Sequence, residues 1–128
     1  MPADWLPITL DPKYQSPKGA YSPGVRAGNL LFVSGQVPTD PVSGEVQGED
    51  IEAQTVLVLA KVRMVLEAGG ASMDDVVSVT VYLANVDDWA VFNEVYKRTF
   101  KPPYPARAAV GAQLRGILVE VSAIAKVS

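Results

Sequence analysis

The chain has no cysteine and no histidine, and each absence excludes a body of chemistry. Without thiols there are no disulfides, no zinc–thiolate sites and no cysteine nucleophile. Without imidazole there is no Ser-His-Asp triad, no Cys-His pair and no ordinary transition-metal site, so proton transfer falls to carboxylates, lysine, tyrosine or water. Positive charge is also short: 11 Lys and Arg against 14 Asp and Glu give a net charge of −3, and the basic residues are scattered. That balance opposes binding to a phosphate backbone. No run reaches the roughly 18 consecutive apolar residues that a membrane helix needs. The opening residues lack a basic start followed by an apolar stretch, so no signal peptide is expected and a cytoplasmic location is the default.

What is present suits one globular unit. A chain of 128 residues with 48% apolar content, spread evenly, can bury a real core, and the expectation is a single domain over residues 1–128. Pro2, Pro7, Pro12 and Pro17 remove backbone donors from the first stretch, which is expected to run extended over the surface or to add one edge strand. Asn29 to Val37 is rich in β-branched and aromatic residues and reads as a strand ended by Pro38. Thr39 to Val46 places Asp40, Pro41, Ser43 and Gly44 where a turn needs them and suggests a hairpin to a short partner strand.

Asp50 to Ala68 has helical periodicity, with Ile51, Thr55, Val58, Leu59, Val62, Val65 and Leu66 on one stripe and Gly69-Gly70 as the stop. Val76 to Leu83 alternates as a strand, with Val77, Val79, Val81 and Leu83 on one side. Asn85, Asp87 and Asp88 offer N-caps for a second helix whose Trp89, Phe92, Tyr96 and Phe100 have core spacing, and Pro102-Pro103 ends it. Trp89 and Tyr96 are read as core anchors, and Asn93 as a local cap or a hydrogen bond between elements. Two strands follow, over residues 107–113 and 117–125, with a turn at Arg115-Gly116.

This order predicts one sheet with both helices on one face. On the final strand Val119, Val121, Ala123 and Ala125 point one way, and Leu118, Glu120, Ser122 and Ile124 point the other. If the first set packs under the helices, the second forms a half-apolar face that another subunit is expected to cover.

With His and Cys gone, two residues stand out. Arg107, after Pro105 on an extended backbone, carries a planar fork that can grip a carboxylate with two parallel hydrogen bonds. Glu120 lies in an apolar run, where partial desolvation suits a carboxyl to passing protons to or from water. From spacing alone the ordinary readings, a surface ion pair and an outward strand residue, carry more weight.

The run Tyr21 to Gly28, then Leu31 to Gln36 and Asp40 to Glu45, resembles the N-terminal pattern of the RidA family of reactive-intermediate imine deaminases. Pro105-Ala-Arg107 and Leu118 to Ala125 are similar to its C-terminal signature, and Gln54, Glu67 to Ala71, Asp74 to Leu83 and Phe92 to Tyr96 match between them in order and spacing. Several separated motifs in one order are far more specific than any one alone. The resemblance implies an α+β, chorismate-mutase-like fold: a single mixed β-sheet with two helices on one face, assembled as a trimeric barrel with sites in the clefts between subunits. It implies hydrolysis of 2-imino acids such as 2-iminopropionate to 2-keto acids and ammonia, with no metal or organic cofactor. Arg107 would bind the substrate carboxylate and Glu120 would position the attacking water. Tyr21 would close the cleft, while Ser34, Gly35 and the backbone near Ala109 would shape its floor. The chain departs from the pattern at Ala109 and Gly111, where members carry polar side chains, and by about two residues in the shorter connection from Arg107 to Glu120.

Other readings stay open. A non-catalytic protein of the same fold could use Arg107 to hold a small carboxylate, which Ala109 and the short connection favour. A ribonuclease or translation inhibitor is disfavoured by the acidic balance and the missing histidine. Pro2 could serve as an N-terminal amine base, but PADWLP lacks an apolar strand to hold it, so Pro2 is read as structural. Finally, Ala53, Val56, Leu57, Ala60 and Met64 form an apolar stripe opposite the core stripe of the first helix, a candidate contact for another protein or a second trimer.

Overall fold

The computed structural model describes residues 4–127. The Pro2 reading lies outside them. In chain order the elements are β1 (Leu6–Pro7), β2 (Gly24–Ala27), β3 (Leu30–Gln36), α1 (Ile51–Ala68), β4 (Val76–Leu83), α2 (Trp89–Thr99), β5 (Ala106–Gly111) and β6 (Val119–Lys126). Six strands make one mixed sheet in the order β1-β2-β3-β6-β4-β5, antiparallel except for the parallel pair β4 and β5. Both helices lie on one face of it, as expected.

Local chemistry explains each boundary. Asp50 caps α1, its Oδ1 accepting from the Ala53 N–H at 2.8 Å, and so satisfies one of the orphan donors of the first turn. At the other end Gly70 takes φ +86, and the Ala71 and Gly70 N–H groups return to the carbonyls of Leu66 and Glu67. This is a Schellman stop, which needs a left-handed residue that glycine adopts without strain. The whole predicted stripe of α1 is buried, together with Gln54. Gln54 accepts from the Leu118 N–H at 2.8 Å and donates to the Gly48 carbonyl at 3.0 Å, so its amide is satisfied in the interior.

Four expectations are corrected. β2 is a strand the sequence reading passed over: Ala27 pairs with Leu30 across a two-residue turn in which Gly28 has φ +60. Thr39 to Val46 forms its turn, but the partner strand is reduced to one bridge between Thr39 and Val46. The phase of β4 slips at its start, because a register irregularity between Val76 and Ser78 buries Val76 and leaves Val77 46% exposed. Trp89 is not a core anchor. A 3-10 turn, Val86–Asp88, capped by Asn85, delivers the chain into α2 so that Trp89 stays 46% exposed, while Phe92, Tyr96 and Phe100 are buried.

β5 and β6 do not pair with each other: β5 takes the edge beside β4, and β6 is inserted between β3 and β4. The alternation along β6 is as read, with Val119, Val121, Ala123 and Ala125 buried and Glu120, Ser122 and Ile124 half-buried on the face away from the helices. That second face also carries Phe32, 39% exposed, from β3 and Val110, 46% exposed, from β5. Among the described residues no helix is long and apolar enough to cross a membrane.

Candidate functional site

Pairing with β4 fixes where Arg107 goes. Arg107 stands opposite Val79, a core residue, so its side chain leaves the sheet on the helix side, at the outer edge. There α2 presents Trp89, Asn93 and Tyr96, which recur at i, i+4 and i+7 and so share one stripe. Arg107 Nη1 donates to Asn93 Oδ1 at 2.9 Å, and its Cζ sits 4.6 Å from the Tyr96 ring centroid and 5.7 Å from that of Trp89. Guanidinium–ring contacts of this kind contribute about 0.5–2 kcal/mol. Among the described residues this one hydrogen bond is the only one it makes, so most of its N–H groups are free for an external acceptor. Burial raises the Tyr96 phenol above its usual pKa, partly offset by the Arg107 charge, which keeps the ring neutral under the cation. The Tyr96 hydroxyl is buried without a hydrogen-bond partner. Ala109, two residues along, lies on the same side as Arg107 and packs against the core.

A second group forms where β3 meets β6. The register shifts between Val33 and Gln36, so that Ser34 and Gly35 together face one residue of β6, a bulge that re-aims the backbone. Ser34 Oγ donates to the Ser22 carbonyl at 2.6 Å and its N–H to the Pro23 carbonyl at 3.0 Å, tying the bulge to the loop that precedes β2. Gly35 lies against Glu120: a Cβ built on it would overlap the Glu120 carboxylate. Glycine here therefore leaves room for the acid. Tyr21, 56% exposed, lines a pocket together with Gly35.

The sequence-predicted residues thus fall into two sets, Arg107 with Ala109 and Glu120 with Gly35, Ser34 and Tyr21. Glu120 pairs with Tyr82 and Arg107 with Val79, and those β4 residues are of opposite parity, so the cation and the acid project from opposite faces of the sheet. Within one chain they do not converge on one small molecule. Asn93 proves to be a bond between elements, and Trp89 an open wall beside the guanidinium.

One charged residue was missed. Lys61 on α1 is half-buried and donates to the Val37 carbonyl at 2.9 Å and to Thr39 Oγ1 at 2.7 Å. Desolvation lowers its pKa, and nearby Asp40 partly offsets that. The signal was its spacing, since Val58, Lys61 and Val65 share the i, i+3, i+7 positions of an inward-facing stripe.

One mixed six-stranded sheet with two helices on one face and Arg107 at its edge defines a small α+β domain, and comparison with known proteins narrows its class. The family profile described as endoribonuclease L-PSP matches residues 13–127. The chain belongs to that family, the one that also contains the RidA and YjgF proteins. A RutC family protein of Saccharolobus solfataricus is 44% identical over 123 residues, 94% of this chain and 98% of the relative. RidA from an Antarctic Psychrobacter superposes with a TM-score of 0.86 at 37% identity, covering 94% of this chain and 98% of that one. Escherichia coli TdcF, solved with bound serine, gives a TM-score of 0.85 at 33% identity, with 94% of this chain and 98% of that one covered. The family includes reactive intermediate deaminases.

Proposed function

We propose that this protein hydrolyses 2-imino acids to 2-keto acids and ammonia, in sites that each combine Arg107 of one chain with Glu120 of a neighbour. The reading is carried by one observation: the guanidinium is oriented by Asn93 and Tyr96 yet keeps most of its donors unused beside an exposed aromatic wall. Its fork would accept the carboxylate of the imino acid in a bidentate pair and fix the C=N carbon at a set distance. Glu120 would hold and deprotonate the attacking water, and the protonated amine would leave as ammonia from the tetrahedral adduct. Tyr21, the Ser34-Gly35 bulge and the backbone at Ala109 would shape the cleft.

The opposite placement of Arg107 and Glu120 supports a shared site, and the half-apolar sheet face with Phe32, Val110 and Ile124 supports closure by further copies, three to a barrel. The word endoribonuclease in the family description fits this chain poorly, since it has no histidine and a net charge of −3. The competing reading, small-carboxylate binding without turnover, is favoured by the methyl group of Ala109.

The test is catalytic. With 2-iminopropionate generated in situ by an amino-acid oxidase, the protein is expected to speed imine decay and Arg107→Ala to reduce kcat/KM at least about 100-fold. No acceleration, or full activity in Arg107→Ala, would overturn the proposal, and binding of 2-oxobutanoate without turnover would establish the competing one.

A further inference from the structure

A pocket of about 230 Å³ lies apart from the Arg107 cluster. It lies on the α1 side, beneath the segment from Leu10 to Tyr21. That segment is fastened over it: the Gln15 N–H donates to the Pro41 carbonyl at 2.8 Å, and Gln15 Nε2 to the Ser43 carbonyl at 3.0 Å. Leu10, Met64 and Val65 give the interior an apolar lining, and Tyr14 stands at its side. The volume is just below the usual range for drug-sized ligands and suits a molecule of amino-acid size.

Three charged side chains line this space, Lys18, Lys61 and Asp40, and among the described residues Asp40 forms no salt bridge with either lysine. Lys61 has three N–H donors and spends two on Val37 and Thr39, which leaves one. Asp40 Oδ1 accepts from the Val42 and Ser43 N–H groups, both at 2.8 Å, and the carboxylate is also hydrogen-bonded by the Ser43 side chain, so it is held as an anion at the pocket's edge. A simple anion would satisfy Lys61 and Lys18 but leave Asp40 without a counter-charge, and a simple amine would satisfy Asp40 but leave both lysines without one. Only a ligand carrying both charges a few bonds apart satisfies both groups at once. An apolar remainder would then match the lining.

We propose that this pocket is a second small-molecule site that takes an α-amino acid with an apolar side chain, its carboxylate on Lys61 and its ammonium on Asp40. The site does not depend on the imine-hydrolysis reading, because none of the Arg107 cluster lines it. It does share Tyr21 and Gly35 with the Glu120 wall, so an occupant would press on the back of the bulge that faces Glu120.

Calorimetric titration of the full chain with L-leucine, 4-methyl-2-oxopentanoate and 3-methylbutylamine tests it. Leucine is expected to bind, with each analogue weaker by at least about tenfold for the charge-assisted bond it lacks. Lys61→Met should abolish leucine binding, and Met64→Trp should block it by filling the pocket while leaving the Lys61 bonds intact, each with an unchanged circular dichroism spectrum. Binding should persist in Arg107→Ala. The proposal is overturned if leucine does not bind, if binding survives in Met64→Trp, or if it disappears in Arg107→Ala, which would place the ligand at the arginine instead.

Discussion

Arg107 meets α2 through a single hydrogen bond, from its Nη1 to Oδ1 of Asn93 at 2.9 Å, while its Cζ lies over the ring of Tyr96, 4.6 Å from the centroid. The ring sets the height of the guanidinium and the amide sets its rotation. Removing the amide leaves a cation that is still present but free to turn. Asn93→Ala is therefore expected to lower kcat/KM for a carboxylate-bearing imine by about tenfold, the worth of one oriented charge-assisted bond. Steady-state rates with 2-iminopropionate check this, and an unchanged kcat/KM would mean that the bond orients nothing.

Gly35 gives a second, opposite kind of test. A methyl group there collides with the end of the Glu120 side chain, a flexible group that can swing aside while the backbone stays put. Gly35→Ala should therefore fold with a thermal midpoint within a few degrees of the parent, yet lose most of its imine hydrolysis. Parallel melting and kinetic measurements decide it; a large loss of stability with activity per folded molecule intact would contradict it.

Thr55 is fully buried on α1, and its hydroxyl has no partner. A buried hydroxyl without a hydrogen bond costs about 1–3 kcal/mol relative to an apolar group of the same shape. Thr55→Val is expected to raise the unfolding free energy by about 1 kcal/mol, read from the urea midpoint at constant m-value. A fall of similar size would show that the hydroxyl is satisfied in the assembled protein.

The Asp40 turn predicts a pH dependence. Backbone N–H groups of Ser43 and Val42 hold the Asp40 carboxyl below its ordinary value of 3.8, so the unfolded chain binds the proton more readily. The stabilisation is thus present above pH 3.8 and is lost as pH falls through the lower folded value. Asp40→Asn keeps an acceptor oxygen but removes the charge. Its denaturation midpoint should lie below that of the parent at neutral pH, with the gap closing as the solution is acidified below 3.8. A gap that stays constant would rule out the charge as its source.

Much of this architecture was legible because hydrophobic period, caps and stops agreed. The α1 stripe from Ile51 to Leu66, the Asp50 cap and the Gly69-Gly70 stop each pointed to one helix, and the alternation of β6 was visible from Val119 to Ala125. β2 was missed because only four residues, one of them glycine, carry it, and its identity comes from the Gly28 turn and the pairing with β3. Trp89 was misplaced because spacing tells which stripe a residue shares but not how far the core extends along it; at the first turn of α2 the core has already ended. Arg107 and Glu120 were found by chemical type and resemblance. Their opposite projection depends on both strands being registered against β4, a non-local fact that no window of sequence contains.

The position of β6 has a consequence for synthesis. It is the sixth strand in chain order, yet it sits inside the sheet, third from the β5 edge, bonded to β3 on one side and β4 on the other. While a ribosome is still holding that stretch, β3 and β4 have no common neighbour and α1 lacks one of the two strands it packs on. Native closure must then wait until Val119 to Lys126 has left the exit tunnel, and until that moment the nascent domain is an open, apolar-faced intermediate that invites chaperone binding.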